Sequence, residues 1–285
     1  IRRPPRSTLD RSSAASDVYK RQVLPNGARY YNDHNHPEYC TETCTSLQEL
    51  VAQDKAGELL LWKCQQARNE ASQTGHISIV KNNTDYHGRS YGTHENYLVP
   101  RNIAFQQLAD GMMPFLTARQ VLIGAGKVGC EGPTPGDAAL QLSQRADFFE
   151  EQVGINTTSR RPIFNTRDEP HADRKHWRRL HVIAGDANRS EYATALKAGM
   201  TGMVIDALVT GQQFAVDLRD PLRAIKEFSR DPNLTVTTET VSNQEVTALD
   251  VMEIYLETLE KNYQDEQDKK WIMQQWRELV DLLRQ

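Results

Sequence analysis

NGARYYNDHNHPEYCTET, residues 26–43, places charged and polar groups where a strand would normally carry apolar ones. Side chains of an extended strand alternate faces, so Arg29, Tyr31 and Asp33 are expected on one side and Ala28, Tyr30 and Asn32 on the other. A cation, a phenol and a carboxylate then share a face. Glu38 follows just after Pro37, whose ring fixes its own φ and biases His36 toward an extended conformation. Two carboxylates can therefore approach one site, from a strand end and from the turn after it. Taken alone, the segment also reads as a half-exposed strand ending in a polar turn.

Two further stretches repeat the pattern. KNNTDYHGRSYGTHENYLV, residues 81–99, follows a β-like run from Ile77 to Val80 and turns through Asn82, Asn83 and Gly88. Alternation from Ser90 sets His94 and Asn96 on one face, with Thr93, Glu95 and Tyr97 on the other. FNTRDEPHAD, residues 164–173, precedes RRLHVIAGDAN, residues 178–188, where Arg179 and His181 share a face opposite Leu180 and Val182. A single histidine in a strand is more often structural than a ligand. Ligand-type or cationic residues on one face of separate strand-like segments weaken that reading.

Motifs as long as NTRDEPHAD, residues 165–173, and SYGTHENYL, residues 90–98, carry a family resemblance that runs from about Val23 to about Lys261. The chain resembles the Pup ligase and depupylase family, glutamine-synthetase-like enzymes that attach a prokaryotic ubiquitin-like protein, Pup, to lysines or remove it. The resemblance implies an α+β fold: a curved antiparallel sheet forming a cradle for ATP and magnesium (Mg2+), backed by helices. It matches Asp33 to the catalytic aspartate, Tyr31 and Glu38 to metal-contacting positions, and Arg29 and Thr41 to nucleotide-contacting positions. By analogy with the glutamine synthetase sheet, His94 and His181 resemble metal or phosphate-side positions, and Arg179 would neighbour the phosphates. Arg145 and Arg167 lie in family-like segments, where a guanidinium fork suits a substrate carboxylate or a phosphate. An ion pair with Asp147 or Asp168 is the structural alternative.

Within the family, DHNHPEY, residues 33–39, resembles the depupylase branch, as do residues 136–154 and the GDAN of residues 185–188. The implied activity is hydrolysis of the isopeptide bond between Pup and a lysine, or deamidation of Pup's C-terminal glutamine. The implied partners are Pup, pupylated proteins and, functionally, the bacterial proteasome. The ligase reaction is the first alternative. A truncated, inactive module that binds nucleotide or Pup is the second.

Composition sets the outer limits. The 285 residues are 38% hydrophobic and 25% charged, enough to bury a sizeable core. A net charge of -4 supplies no overall basic field for nucleic acid, and no apolar stretch approaches the roughly 20 residues of a membrane span. Cys40, Cys44, Cys64 and Cys130 lack a paired framework, which favours a reducing, cytoplasmic setting. Cys40 and Cys44 have no second pair with which to build a zinc site.

Along the chain, residues 1–22 read as a non-native segment, rich in Arg and Ser and without apolar period. Residues 23–240 are expected to form the catalytic core, lacking the family's first metal-bearing strand. Residues 241–285 read as a helical segment leading toward a further C-terminal domain, so the sequence is expected to be incomplete at both ends. Within that helical segment, Ser242–Glu245 reads as a capping box. Leu249, Met252, Leu256 and Leu259, then Ile272, Trp276, Leu279 and Leu283, recur at helical spacing. GAGKVG, residues 124–129, lacks the ending of a phosphate loop and reads as a flexible loop near the site.

Overall fold

The computed structural model describes residues 21–33, 36–131, 139–263 and 267–285. Contacts divide the chain into two units, residues 1–80 and 81–285.

In the first unit, β1 (Arg21–Val23), β2 (Arg29–Asp33) and β3 (His36–Cys40) form an antiparallel sheet in that order. Gly27, at φ +88°, closes the β1–β2 turn, and the Leu24 amide donates to the Ala28 carbonyl at 2.8 Å. Only glycine adopts that backbone conformation without strain. β1 begins at Arg21, so the boundary expected at residue 22 cuts through a strand, while residues 1–20 lie outside the described residues. Glu38 stands in β3 rather than in a turn. Pro37 is tolerated there because β3 is an edge strand, where a missing amide donor costs no interior ladder bond.

Behind this sheet runs α1 (Leu47–Ala71), capped by Ser46, whose Oγ accepts from the Glu49 amide. Tyr39 reaches the helix, its hydroxyl donating to Gln53 Oε1 at 3.1 Å. Gly57 makes that approach possible, since a Cβ there would lie 2.3 Å from the Tyr39 ring. The strand expected at Ile77–Val80 does not form. Its backbone bonds instead to α1 side chains: Asn69 pairs with both the amide and carbonyl of Ile77, and Gln65 accepts from Ile79.

The second unit centres on a four-stranded sheet of order β4 (Glu95–Pro100), β9 (Trp177–Val182), β8 (Arg161–Asn165), β7 (Phe149–Gly154). Its β4–β9 and β8–β9 pairs are antiparallel, whereas β7 runs parallel to β8 with a register shift at Phe149/Glu151. The sheet is therefore mixed, not wholly antiparallel as expected. A period of two reports which face a residue takes and says nothing of strand direction.

Helices α2 (Phe105–Ala118), α4 (Glu191–Val209), α5 (Pro221–Arg230), α6 (Ala248–Asn262) and α7 (Gln267–Leu283) supply the core, with the short α3 (Gln120–Ile123) following α2. Phe115 of α2 lies 5.5 Å from Tyr255 and 5.9 Å from Trp276, ring centre to ring centre. Burying such rings is among the larger apolar contributions a core contains. The expected stripe of α6 is buried at Leu249, Met252, Leu256 and Leu259. On α7 the buried positions are Ile272, Met273, Trp276 and Val280, while Leu283 is 38% exposed. The stripe there leaves the expected line by one position after Trp276.

The capping box sits elsewhere than expected. Thr247 is the N-cap of α6 and Asp250 its reciprocal partner, while residues 242–245 belong to the turn and start of the hairpin of β10 (Thr237–Glu239) and β11 (Glu245–Thr247). GAGKVG is likewise anchored. Lys127 and Val128 form β5, paired with β6 (Leu140–Gln141), and the buried Lys127 ammonium bonds Glu131 at 2.7 Å.

At the seam between sheet and helices, Glu95 of β4 meets Arg119, just past α2, at 2.6 and 3.0 Å. Arg119 is fully buried and also donates to Thr201 Oγ1 and the Ala184 carbonyl, while Tyr97 donates to Glu95. Burial opposes ionising Glu95, yet the charges of Arg119 and Lys197 hold its carboxyl below the usual range. Removing one partner strands the other as a lone buried charge. Arg119→Met is accordingly expected to destabilise the chain by about 3–5 kcal/mol in urea unfolding. A loss under about 1 kcal/mol would contradict this role, being what an exposed pair gives.

Candidate functional site

On the first unit the candidate residues collect on one side of the β2–β3 hairpin. The register pairs Arg29 with Cys40, Tyr31 with Glu38 and Asp33 with His36, and directly opposed residues share a face. The alternation expected for Arg29, Tyr31 and Asp33 is thus extended by Glu38 across the pair. Tyr31 donates its hydroxyl to Glu38 Oε2 at 2.7 Å and lies 3.5 Å from Cys40 Sγ. Burial, then the bonds to Cys40 and Glu38, push the Tyr31 phenol well above its usual range. Tyr31 is therefore a neutral donor that orients Glu38.

Glu38 Oε1 carries no hydrogen bond among the described residues. A hard oxygen of this kind suits magnesium, which takes one or two carboxylates and completes its shell with water and phosphate oxygens. No three His, Cys, Asp or Glu side chains gather into a metal-binding group among the described residues. Thr41 lies just beyond β3 and is half-buried.

The second unit presents a different chemistry. The β4–β9 register sets Asn96 opposite His181 and Leu98 opposite Arg179, so these four share a face. His181 is 5% exposed and its Nδ1 lies 2.8 Å from Asn96 Oδ1. The exposed His94 ring stands edge-on to it at 5.0 Å. Burial, then the charges of Arg179 and Arg167, lower the His181 pKa to about 4. Burial, then Arg145, His181, Arg161 and Arg179, lower that of His94 to about 3. Both imidazoles are neutral at pH 7. Guanidinium groups lie near them, a field that attracts anionic oxygens.

The arginines divide by their partners. Arg145 is 2% exposed, and its guanidinium donates to the carbonyls of Ile183 and Gly185 and to Ser90 Oγ. It also packs against Gly92, where a Cβ would meet it at 2.6 Å. Arg145 is a strut held through Nε and Nη1, and the ion pair expected with Asp147 goes to Arg230 instead. Arg167 is exposed, with no side-chain bond among the described residues, while Asp168 pairs with Arg101. Arg179 touches Glu169 at 3.5 Å and keeps a buried Nε without a partner. Arg145 has only its Nη2 outside these bonds, whereas Arg167 and Arg179 keep more of their donors for an incoming anion. Arg161 and Asn96 were not singled out from sequence. Alternation placed Asn96 on the His94 face, but its pairing with His181 needs the cross-strand register.

The depressed His181 pKa has a definite sign. The unfolded chain, with an ordinary imidazole near 6.5, takes up its proton before the folded chain does. Stability is therefore level above about pH 6.5 and falls as pH drops toward about 4. His181 contributes about 3 kcal/mol to that loss at most. Urea midpoints between pH 7 and pH 4 should fall less steeply in His181→Gln than in the unaltered chain. Equal slopes would contradict the assignment.

Known proteins resemble the chain along most of its length. A family model described as Pup-ligase protein matches residues 3–285. The chain is 44% identical over 265 residues to a Pup deamidase/depupylase of Mycobacterium tuberculosis, covering 90% of this chain and 51% of that protein. It is 45% identical over 240 residues to a Pup–protein ligase of Kineococcus radiotolerans, covering 82% and 52%. The chain thus spans about half the length of these relatives. The solved structure of the Pup ligase PafA with ADP superposes with a TM-score of 0.84 at 31% identity, covering 99% of this chain and 67% of that one. The complex of Pup with PafA gives 0.81 at 31% identity, covering 95% and 58%. With a match across nearly its whole length, the chain belongs to the Pup-ligase family and has that family's glutamine-synthetase-like fold.

Proposed function

We propose that the protein carrying this sequence is a Pup depupylase/deamidase that works with ATP and magnesium bound. The observation that carries the reading is the β2–β3 face, where Asp33 lies beside a Glu38 carboxylate oriented by the neutral Tyr31 phenol. In this reading Asp33 is the catalytic carboxylate, and Glu38 would hold magnesium through its hard oxygens. Bound magnesium and nucleotide supply concentrated charge that polarises the reacting carbonyl and keeps a neighbouring carboxylate ionised. Arg29 and Thr41 would contact the nucleotide, and Arg179 and Arg167 would meet phosphate or the substrate's carboxylate. Pup and pupylated proteins are the proposed partners, in the cytoplasm and upstream of the bacterial proteasome. No helix among the described residues is long and apolar enough to cross a membrane.

The hydrolytic branch rests on the DHNHPEY sequence, on residues 136–154 and on GDAN, because relatives bearing both names match at similar identity. In GDAN, Asp186 is fully buried and accepts from the amides of Ala125, Gln144 and Arg145, so that stretch braces the loop before β7. Ligation of Pup to lysine is the second reading. One preparation, offered a pupylated protein in one vessel and Pup with a lysine-bearing protein and ATP in another, separates them. Release of Pup supports the proposal, and conjugation without release overturns it.

Two substitutions test the residues. Asp33→Asn keeps the shape and removes the charge, so cleavage should fall at least about a hundredfold while nucleotide binding stays within a few-fold. Retained turnover would remove Asp33 from the chemistry. Glu38→Ala should raise the magnesium concentration needed for half-maximal nucleotide binding by about tenfold, since one hard ligand is lost. An unchanged magnesium midpoint would exclude Glu38 as a ligand.

A further inference from the structure

Arg178 of β9 takes the opposite face from Arg179. It pairs with Val99, on the side of the sheet that Glu95 turns to the helices, and its guanidinium lies 5.8 Å from the centre of the Phe105 ring at the start of α2. The residue is 9% exposed. Nη2 donates to the Ile103 carbonyl at 3.2 Å, whereas Nε and Nη1 are closed off from solvent and have no hydrogen-bond partner among the described residues. A guanidinium carries five N–H donors and keeps its charge in proteins, so burial leaves both hydrogens and charge to be answered.

The carboxylate that reaches Arg178 is already engaged. Asp168 accepts from Arg101 at 2.5 Å through Oδ2 and from the Arg179 amide at 3.0 Å through Oδ1. Burial, then the charge of Arg101, lower the Arg178 pKa, and Asp168 acts against them. Two guanidiniums thus share one carboxylate, and positive charge is in excess. Arg178 and Asp168 line a cavity of about 20 Å³ together with Phe105, Phe164 and Leu180. A water needs roughly 10–15 Å³ of such room, so a body the size of a water or a halide fits, and a phosphate does not.

We propose that this cavity is a halide site, in which chloride accepts from the Nε–H and Nη1–H of Arg178, neutralises the buried guanidinium and fastens β9 to the start of α2. A water of similar size would serve the hydrogens and leave the charge unanswered, and a buried charge is costly unless it is paired. The largely apolar wall favours an anion that gives up its hydration easily, so bromide should bind at least as well as chloride. The site stands apart from nucleotide and Pup, so it holds or fails independently of the proposed function.

Bromide replaces chloride and scatters anomalously. Crystals of the 285-residue chain soaked in sodium bromide should show an anomalous peak within hydrogen-bonding distance of Arg178 Nε and Nη1. Density there without anomalous signal is a water and overturns the proposal, as does a cavity left unfilled. Thermal unfolding then tests the site in solution. Exchanging sodium gluconate for sodium chloride at about 0.3 M should raise the midpoint of the unaltered chain by about 2–4 °C. Sodium bromide should give a rise at least as large, and Arg178→Met should lose both. Equal midpoints in chloride and gluconate, or the same halide rise in Arg178→Met, would overturn the proposal. The bromide crystals need no variant, so the inference stays falsifiable even if Arg178→Met does not fold.

Discussion

The bond between Glu95 and Arg119 ties the functional sheet to its helical support. Glu95 is the first residue of β4, one position before Asn96 and one after His94. Its carboxylate faces the helices and takes two bonds from a guanidinium that solvent does not reach. Arg119 also holds Thr201 of α4 and the Ala184 carbonyl just past β9. One buried cation therefore fixes a helix end, a second helix, and the ends of the two strands that carry the histidines. A surface pair would contribute too little to do this. Buried, the pair is costly to break and so holds the register that sets Asn96 against His181.

The two faces of β4 and β9 serve opposite electrostatic ends. Toward the helices, Glu95 and Arg119 neutralise one another. On the other face Arg179 and the exposed Arg167 act on neutral imidazoles, without a carboxylate close enough to cancel both. That imbalance costs the folded chain stability at acid pH, and it is the kind of cost that persists where a fold holds a binding site. The β2–β3 face divides the labour differently. There a carboxylate is steered by a phenol through one oxygen, and its other oxygen carries no hydrogen bond among the described residues.

Much of this was legible in the chain. Alternation placed Arg29, Tyr31 and Asp33 together, and Arg179 with His181, because a strand's two-residue period survives whatever the strand pairs with. Partners were not legible. Nothing in the local sequence says that Glu38 opposes Tyr31, that β7 runs parallel to β8, or that Arg119 selects Glu95, since these depend on register and long-range packing. Arg145 illustrates the limit best. Its segment resembled a substrate-binding stretch, yet carbonyls of the turn after β9 take up its guanidinium. The capping box failed more simply: Ser242–Glu245 has the residue types, and Thr247–Asp250 has them at the position where the helix starts.

The central claim is the proposed placing of metal chemistry on the β2–β3 face, where the Tyr31 phenol orients the Glu38 carboxylate. Manganese scatters anomalously and shares magnesium's preference for oxygen ligands. Crystals of the protein grown with ADP and manganese should show the anomalous peak within bonding distance of the Glu38 carboxylate. A peak with no bond to the Glu38 carboxylate would contradict the account.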